Sequence, residues 1–330
     1  MKKKISKEWI LLIIFALIFT ALSIMSPGKF LTVNNLRSIC FQVPEFGLFA
    51  MAMMVTILTG GINLSVITSG TMGGILGALV MSALYSGGAN PILAIAAAVL
   101  TVLAASTLCG LINGTVVSYV GTAAMMTTLG TSTLYEGIGL LISKGNSISG
   151  FPTQFFWFGN KTIAGVPVPM VLFVLAAIVA YLLLERTPWG LNVYMVGSNP
   201  RTAMYSGINV QQTTMLAYVL SGFLSGLATI IMMSRYNSIR IDYGSSYLMQ
   251  TVAAAVLGGT LITGGYGKVI GIVIAVLTLQ CISSGMNIFG VETSLTTMVT
   301  GVVLIGVLTV NFLNARKGER IRTARKSNSL

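Results

Sequence analysis

The sequence predicts an all-α, polytopic membrane protein of about ten transmembrane helices, and three observations lead there. First, 55% of the 330 residues are hydrophobic and only 8% are charged, with a mean hydropathy of +0.88. A water-soluble domain carries about 25% charged residues, so this chain lacks the charge to cover a water-exposed surface. Second, ten apolar runs approach the roughly 20 residues that a membrane helix needs. Third, positive charge collects at both ends. Lys2, Lys3, Lys4 and Lys7 precede the first run, and Arg316, Lys317, Arg320, Arg322, Arg325 and Lys326 follow the last.

In chain order the runs are 9–25, 40–59, 65–85, 91–118, 124–143, 167–184, 213–234, 247–262, 269–288 and 294–313. The first follows a basic start, as a secretory signal does. Its 17 residues exceed the 7–15 apolar residues usual in a signal peptide, so it reads as a retained signal-anchor helix. The runs 65–85 and 247–262 are the most diluted by Gly, Ser and Thr. An even number of crossings puts both termini on one side, and the positive-inside rule makes that side cytoplasmic. Thirteen of the 19 cations then lie inside, and Lys29, Arg37, Lys144, Lys161, Arg235 and Arg240 lie outside. The chain forms one transmembrane domain over 1–330, with short basic tails at 1–8 and 314–330.

Two connections are long. Residues 144–166 are expected outside. They hold Phe151, Phe155, Phe156, Trp157 and Phe158, a cluster suited to a re-entrant or interfacial segment. Residues 185–212 are expected in the cytoplasm, and a loop of that length in a compact bundle is usually functional. Within it, Asn199 reads as a helix N-cap, Pro200 as the first helical residue and Gly207 as the stop. A short capped helix between two spans is a natural docking element.

Glycine supplies 37 residues. Pairs four apart recur at Gly70/Gly74, Gly73/Gly77, Gly110/Gly114, Gly222/Gly226 and Gly267/Gly271, the spacing that lets helix backbones approach closely. Leu58-Thr-Gly-Gly-Ile-Asn-Leu-Ser65 and Leu257-Gly-Gly-Thr-Leu-Ile-Thr-Gly264 each precede a glycine-bearing helix. They give a weak sign of two repeated halves, a common device in transporters.

Several chemistries are excluded. The absence of histidine removes Ser-His-Asp and Cys-His catalysis and most zinc sites. Cys40, Cys109 and Cys281 show neither metal spacing nor a disulfide framework. The stretch Gly264-Gly-Tyr-Gly-Lys268 only imitates a phosphate loop. Ile262 stands where G-x-x-x-x-G-K-[ST] requires its first glycine, and Val269 where it requires the hydroxyl. Nucleic-acid binding has no basic soluble domain to carry it. No catalytic residue, metal site or cofactor is expected. Of the seven acids, Glu136 is the deepest in a run, and Glu45 follows Pro44 early in the second. An ionisable group inside a membrane is a functional candidate by default.

The loop Val196-Gly-Ser-Asn-Pro-Arg-Thr-Ala-Met-Tyr-Ser-Gly-Ile-Asn209 resembles the coupling-loop signature of ribose-type (simple-sugar and autoinducer-2-like) permeases of ABC importers. Thr59-Gly-Gly-Ile-Asn-Leu-Ser-Val66 is similar to that family's Gly-Gly-Ile-Asp-Leu-Ser motif. Gly110-Leu-Ile-Asn-Gly114, Thr128-Leu-Gly130, Ala254-Ala-Val-Leu-Gly-Gly259 and Gly264-Gly-Tyr-Gly267 follow in the family's order. The resemblance covers roughly residues 30 to 313. It implies a permease subunit that moves a sugar or sugar-like small molecule inward across a bacterial inner membrane. The implied partners are a second permease subunit (the same chain or a different one), a cytoplasmic ABC ATPase, a periplasmic or extracellular sugar-binding protein, and membrane lipid. It also implies that Gly197, Ser198, Asn199, Pro200, Arg201, Ser206 and Gly207 couple to the ATPase. Asn63, Ser65, Glu136 and Gln250 are the candidates for the translocation pathway. Three positions depart from the family: Asn63 replaces the usual Asp, Ile67 stands where glycine is common, and Glu136 stands where Arg is frequent. The competing reading is a stand-alone secondary carrier or channel for a small polar solute.

Overall fold

A backbone inside a bilayer must satisfy its own hydrogen bonds, and a chain of apolar runs does so by coiling. The computed structural model describes residues 7–163 and 165–291, with positions 295, 298, 301, 302 and 306 beyond them. The chain begins with α1 (Lys7–Met25), α2 (Pro27–Phe30), α3 (Val33–Leu58), α4 (Val66–Ser86), α5 (Pro91–Thr115) and α6 (Ala124–Ser143). After β1 (Ile148–Ser149) come α7 (Phe156–Asn160), the hairpin β2 (Thr162–Ile163) and β3 (Val166–Pro167), and α8 (Val168–Arg186). Then follow α9 (Pro188–Ser198), α10 (Pro200–Tyr205), α11 (Val210–Tyr236), β4 (Ser238–Ile239), α12 (Tyr247–Leu257) and α13 (Val269–Ile288). β1 pairs antiparallel with β4, Ile148 opposite Ile239.

Among the described residues, six helices are long and apolar enough to cross a membrane: α3, α4, α5 with the π-turn that extends it to Val120, α8, α11 and α13. The protein is a polytopic membrane protein, but the expected count of about ten is not exact. The diluted run 65–85 is a full helix, α4. The other diluted run, 247–262, yields only the 11 residues of α12, about 16 Å at 1.5 Å per residue, half a hydrocarbon core. Gly258 and Gly259 end it, the latter at φ +86°, which glycine adopts without steric cost. The last run, 294–313, lies outside the described residues apart from isolated positions.

The bundle is built around α3. Every residue from Val43 to Leu58 is buried, as expected for a helix that is apolar on all sides. α8, α11, α12 and α13 surround it, while α4 wedges between α5 and α11. The four-spaced glycines make this possible. A Cβ at Gly73 or Gly77 would strike Ser106 or Val102 of α5, and one at Gly70 or Gly74 would strike Thr229 of α11. Gly110 and Gly222 lie backbone to backbone where α5 crosses α11. α1 is part of this packing, with Leu22 seated on Gly285 of α13.

Candidate coupling and translocation site

The helix expected in the long polar loop is α10. Its N-cap, Asn199, accepts a hydrogen bond from the Thr202 N–H at 3.1 Å, and Pro200 occupies the first helical position. At its other end the Gly207 and Ile208 amides donate to the Met204 and Ala203 carbonyls at 3.0 and 3.1 Å, the paired bonds of a Schellman motif. Gly207 takes φ +80°. Only Ala203 of this helix is buried, while Arg201, Met204 and Tyr205 are exposed. A helix capped at both ends by its own chain holds its shape while presenting a mixed polar and apolar face.

Just before α10 the loop is clamped to the bundle through backbone atoms. A Cβ at Gly197 would collide with the Leu58 carbonyl and the Gly265 nitrogen. The Gly265 N–H donates to the Leu58 carbonyl at 3.0 Å. A Cβ on Gly265 would meet Ser198 Cα at 2.7 Å, and one on Gly264 would meet Gly60 N at 2.7 Å. Three segments therefore meet here without side chains between them: the end of α9, the α3–α4 turn and the α12–α13 turn. The two segments that suggest a repeat touch, Gly264 of the second lying against Gly60 of the first. Tyr194 adds a tie, its hydroxyl donating to the Gly267 carbonyl at 2.9 Å. Burial, and then the nearby Glu185 carboxylate, push that phenol well above its ordinary pKa, so it stays a donor.

Asn63 and Ser65 lie in a buried polar knot. Asn63 Oδ1 accepts from the Ser65 hydroxyl at 2.8 Å and from the Ser65 N–H at 3.1 Å. Asn63 Nδ2 donates to Ser221 Oγ at 3.1 Å, and Asn113 Nδ2 donates to Ser65 Oγ at 2.6 Å. Thr128 Oγ1 accepts from the Leu64 N–H at 3.0 Å. Asn63 is 1% exposed and Ser65 not at all. Their side chains bind the α3–α4 turn to α5 and α11, the Thr128 hydroxyl binds it to α6, and neither Asn63 nor Ser65 faces a surface of this chain.

The two intramembrane acids differ in burial. Glu136 is exposed on α6. Glu45 is fully buried, midway along α3 because that helix begins at Val33 and continues through Pro44. Arg235 Nη1 approaches Glu45 Oε2 at 2.7 Å, an ion pair without hydrogen-bond alignment. The Tyr236 and Tyr247 hydroxyls donate to Glu45 Oε1 at 2.9 and 2.7 Å. Arg235, expected as an external loop cation, is thus the last-turn cation of α11, turned toward the core. Neither Arg235 nor the two tyrosines stood out in the sequence. Their signal is a single cation closing an apolar run, which gains meaning only beside a buried acid on another helix. Gln250 is half-buried on α12, one turn from Tyr247, and Met249 beside it is 67% exposed.

Motifs far apart in the chain thus gather into two adjacent clusters, the polar knot and the glycine junction, with a self-capped helix beside the junction. Residues 35–308 match the family described as branched-chain amino acid transport system / permease component. The chain belongs to this family. Among relatives of the permease, the ribose import permease protein RbsC of Bacillus subtilis is 37% identical over 285 residues, 86% of each chain. The autoinducer 2 import system permease protein LsrD of Yersinia enterocolitica is 35% identical over 293 residues, 86% of this chain and 85% of the relative. LsrD of Escherichia coli K12 is 35% identical over 283 residues, 83% of each. A solved structure described as a metal-chelate type ABC transporter in an inward-facing conformation aligns with TM-score 0.51, over 92% of the permease and 99% of that chain. At 14% identity this likeness is one of fold. The permease is thus a transport component.

Proposed function

We propose that the permease is the membrane subunit of an ATP-driven importer for a sugar or sugar-like small molecule, and that α10 is where a separate ATPase docks. The observation that carries this is the combination at α10: a helix capped by its own chain, exposed outward, and joined directly to the central helix through Gly197 and Leu58. The relatives that import ribose and autoinducer 2 support the substrate class. A second permease subunit completes the pathway, a sugar-binding protein delivers the solute from outside, and lipid surrounds the bundle in a bacterial inner membrane. Both termini and 185–212 face the cytoplasm, and 144–166 faces outward. Gly197, Ser198, Asn199, Pro200, Ser206 and Gly207 fix the shape and position of the docking helix, and Arg201 supplies its charge. Glu136 and Gln250 line the pathway on α6 and α12. Asn63 and Ser65 serve it from behind, by holding the α3–α4 turn.

Arg201→Glu tests the docking role. Reversing a charge at a contact costs on the order of 1–3 kcal/mol, roughly a 5- to 150-fold loss of affinity. The expected result is that the variant inserts normally but retains much less ATPase on purification from native membranes. Full retention with unchanged uptake would overturn the assignment. A stand-alone carrier would purify with no ATPase in any variant.

A further inference from the structure

The half-length of α12 is unusual in a bundle of long helices, and both of its ends are held against α3. At its start, Tyr247 donates to Glu45 at 2.7 Å, and Glu45 is paired in turn with Arg235 of α11. Beyond its end, the turn carrying Gly264 and Gly265 lies on Leu58, Gly60, Gly197 and Ser198. α12 therefore runs from the middle of α3 to its Leu58 end. Its outer anchor is charged and hydroxylic. Its inner anchor is backbone on backbone. Gly258 is packed equally tightly on Gly271 of α13. A displacement of α9 toward the bundle has no side chain to compress at the junction. It must move Leu58, or move the 264–265 turn and α12 with it. Leu58 ends the most deeply buried helix of the protein, whereas Leu261, Ile262 and Thr263 of the turn are exposed. The turn is the part free to move.

We propose that Gly197 and Tyr194 are positioning residues that transmit the motion of α10 to α12, so that α12 swings about its Tyr247–Glu45 anchor and acts as the moving wall of the pathway. Gly197 delivers the push through its contact with Gly265. The Tyr194 hydroxyl, bonded to Gly267, makes the turn follow in the return stroke as well. The exposed Met249 and half-buried Gln250 lie on the helix that moves. This rests on the importer reading, and deepens it by naming the element that responds to the ATPase.

The test uses the assembled complex of permease and ATPase in proteoliposomes, with the three native cysteines replaced and Met249→Cys introduced. The readout is the rate of maleimide labelling at position 249, with and without ATP and vanadate. A control complex carries Leu141→Cys on α6 instead, at a position 81% exposed. Nucleotide is expected to change labelling at 249 several-fold. Tyr194→Phe is expected to abolish most of that change while the ATPase stays bound and hydrolyses ATP. That variant removes only a hydroxyl and leaves the backbone junction at Gly197 in place. A nucleotide response at 249 that survives Tyr194→Phe overturns the relay, as does a response confined to 141. Failure of the unsubstituted permease to hold any ATPase would instead overturn the importer reading itself.

Discussion

Glu45 and Arg235 are the residues whose environment departs most from what their type prefers. Each carries charge within a span, and each is tolerable there only because the other is present. Removing Glu45 alone leaves a guanidinium with no counter-charge, which typically costs about 3–5 kcal/mol. Glu45→Ala is therefore expected to lower the thermal unfolding midpoint of the purified permease sharply, and Glu45→Ala combined with Arg235→Met to recover most of the loss. Equal destabilisation by the single and double variants would refute the pairing. Glu136 poses the opposite case, an acid exposed on a helix 20 residues long. Lipid is a poor neighbour for a carboxylate, so this face of α6 meets water or a partner. Glu136→Gln is expected to alter uptake while the quantity of assembled complex stays constant, as quantified by size-exclusion chromatography. Unchanged uptake would show the residue to be incidental.

At the scale of elements, the glycine spacings were the most legible feature of the sequence. All five four-spaced pairs lie at close contacts, because a missing Cβ has one main use in a helix interior, the near approach of another backbone. Gly110→Val is expected to prevent folding, since its side chain would enter the Tyr218 carbonyl and Gly222 Cα on α11. Gly130→Val, at a position with open space around it, is expected to express normally. Comparing the two by fluorescence-detected chromatography separates packing from a general intolerance of valine. The caps of α10 were legible for a similar reason, because Asn199, Pro200 and Gly207 act on backbone within a few residues. The shortness of α12 was not legible. Hydropathy reports apolar length, and Leu261 and Ile262 extended the apparent run past a helix that had already ended at Gly258. The polar knot was equally hidden, since Asn63, Ser65, Asn113 and Ser221 become partners only once two helices and a turn have met.

For the whole molecule, α12 leaves the sidedness argument intact. Val210 follows α10 closely, and the Val269 N–H donates to Glu185 at the end of α8 at 3.2 Å, so α11 and α12 together leave the α10 side and return to it. In a background lacking the native cysteines, Ser198→Cys is expected to react with an impermeant maleimide only after the cells are opened, and Ser147→Cys in intact cells. Labelling of Ser198→Cys in intact cells would refute the orientation and, with it, ATPase docking. The capping of α10 carries a last consequence for exchange between proteins. Both caps of the helix are formed by its own residues, and only Ala203 of the helix is buried in the bundle. On the docking role proposed for α10, residues 199–208 form a cassette that can be grafted from one family member to another, and the graft is expected to redirect the choice of motor while the solute and the interior remain those of the recipient.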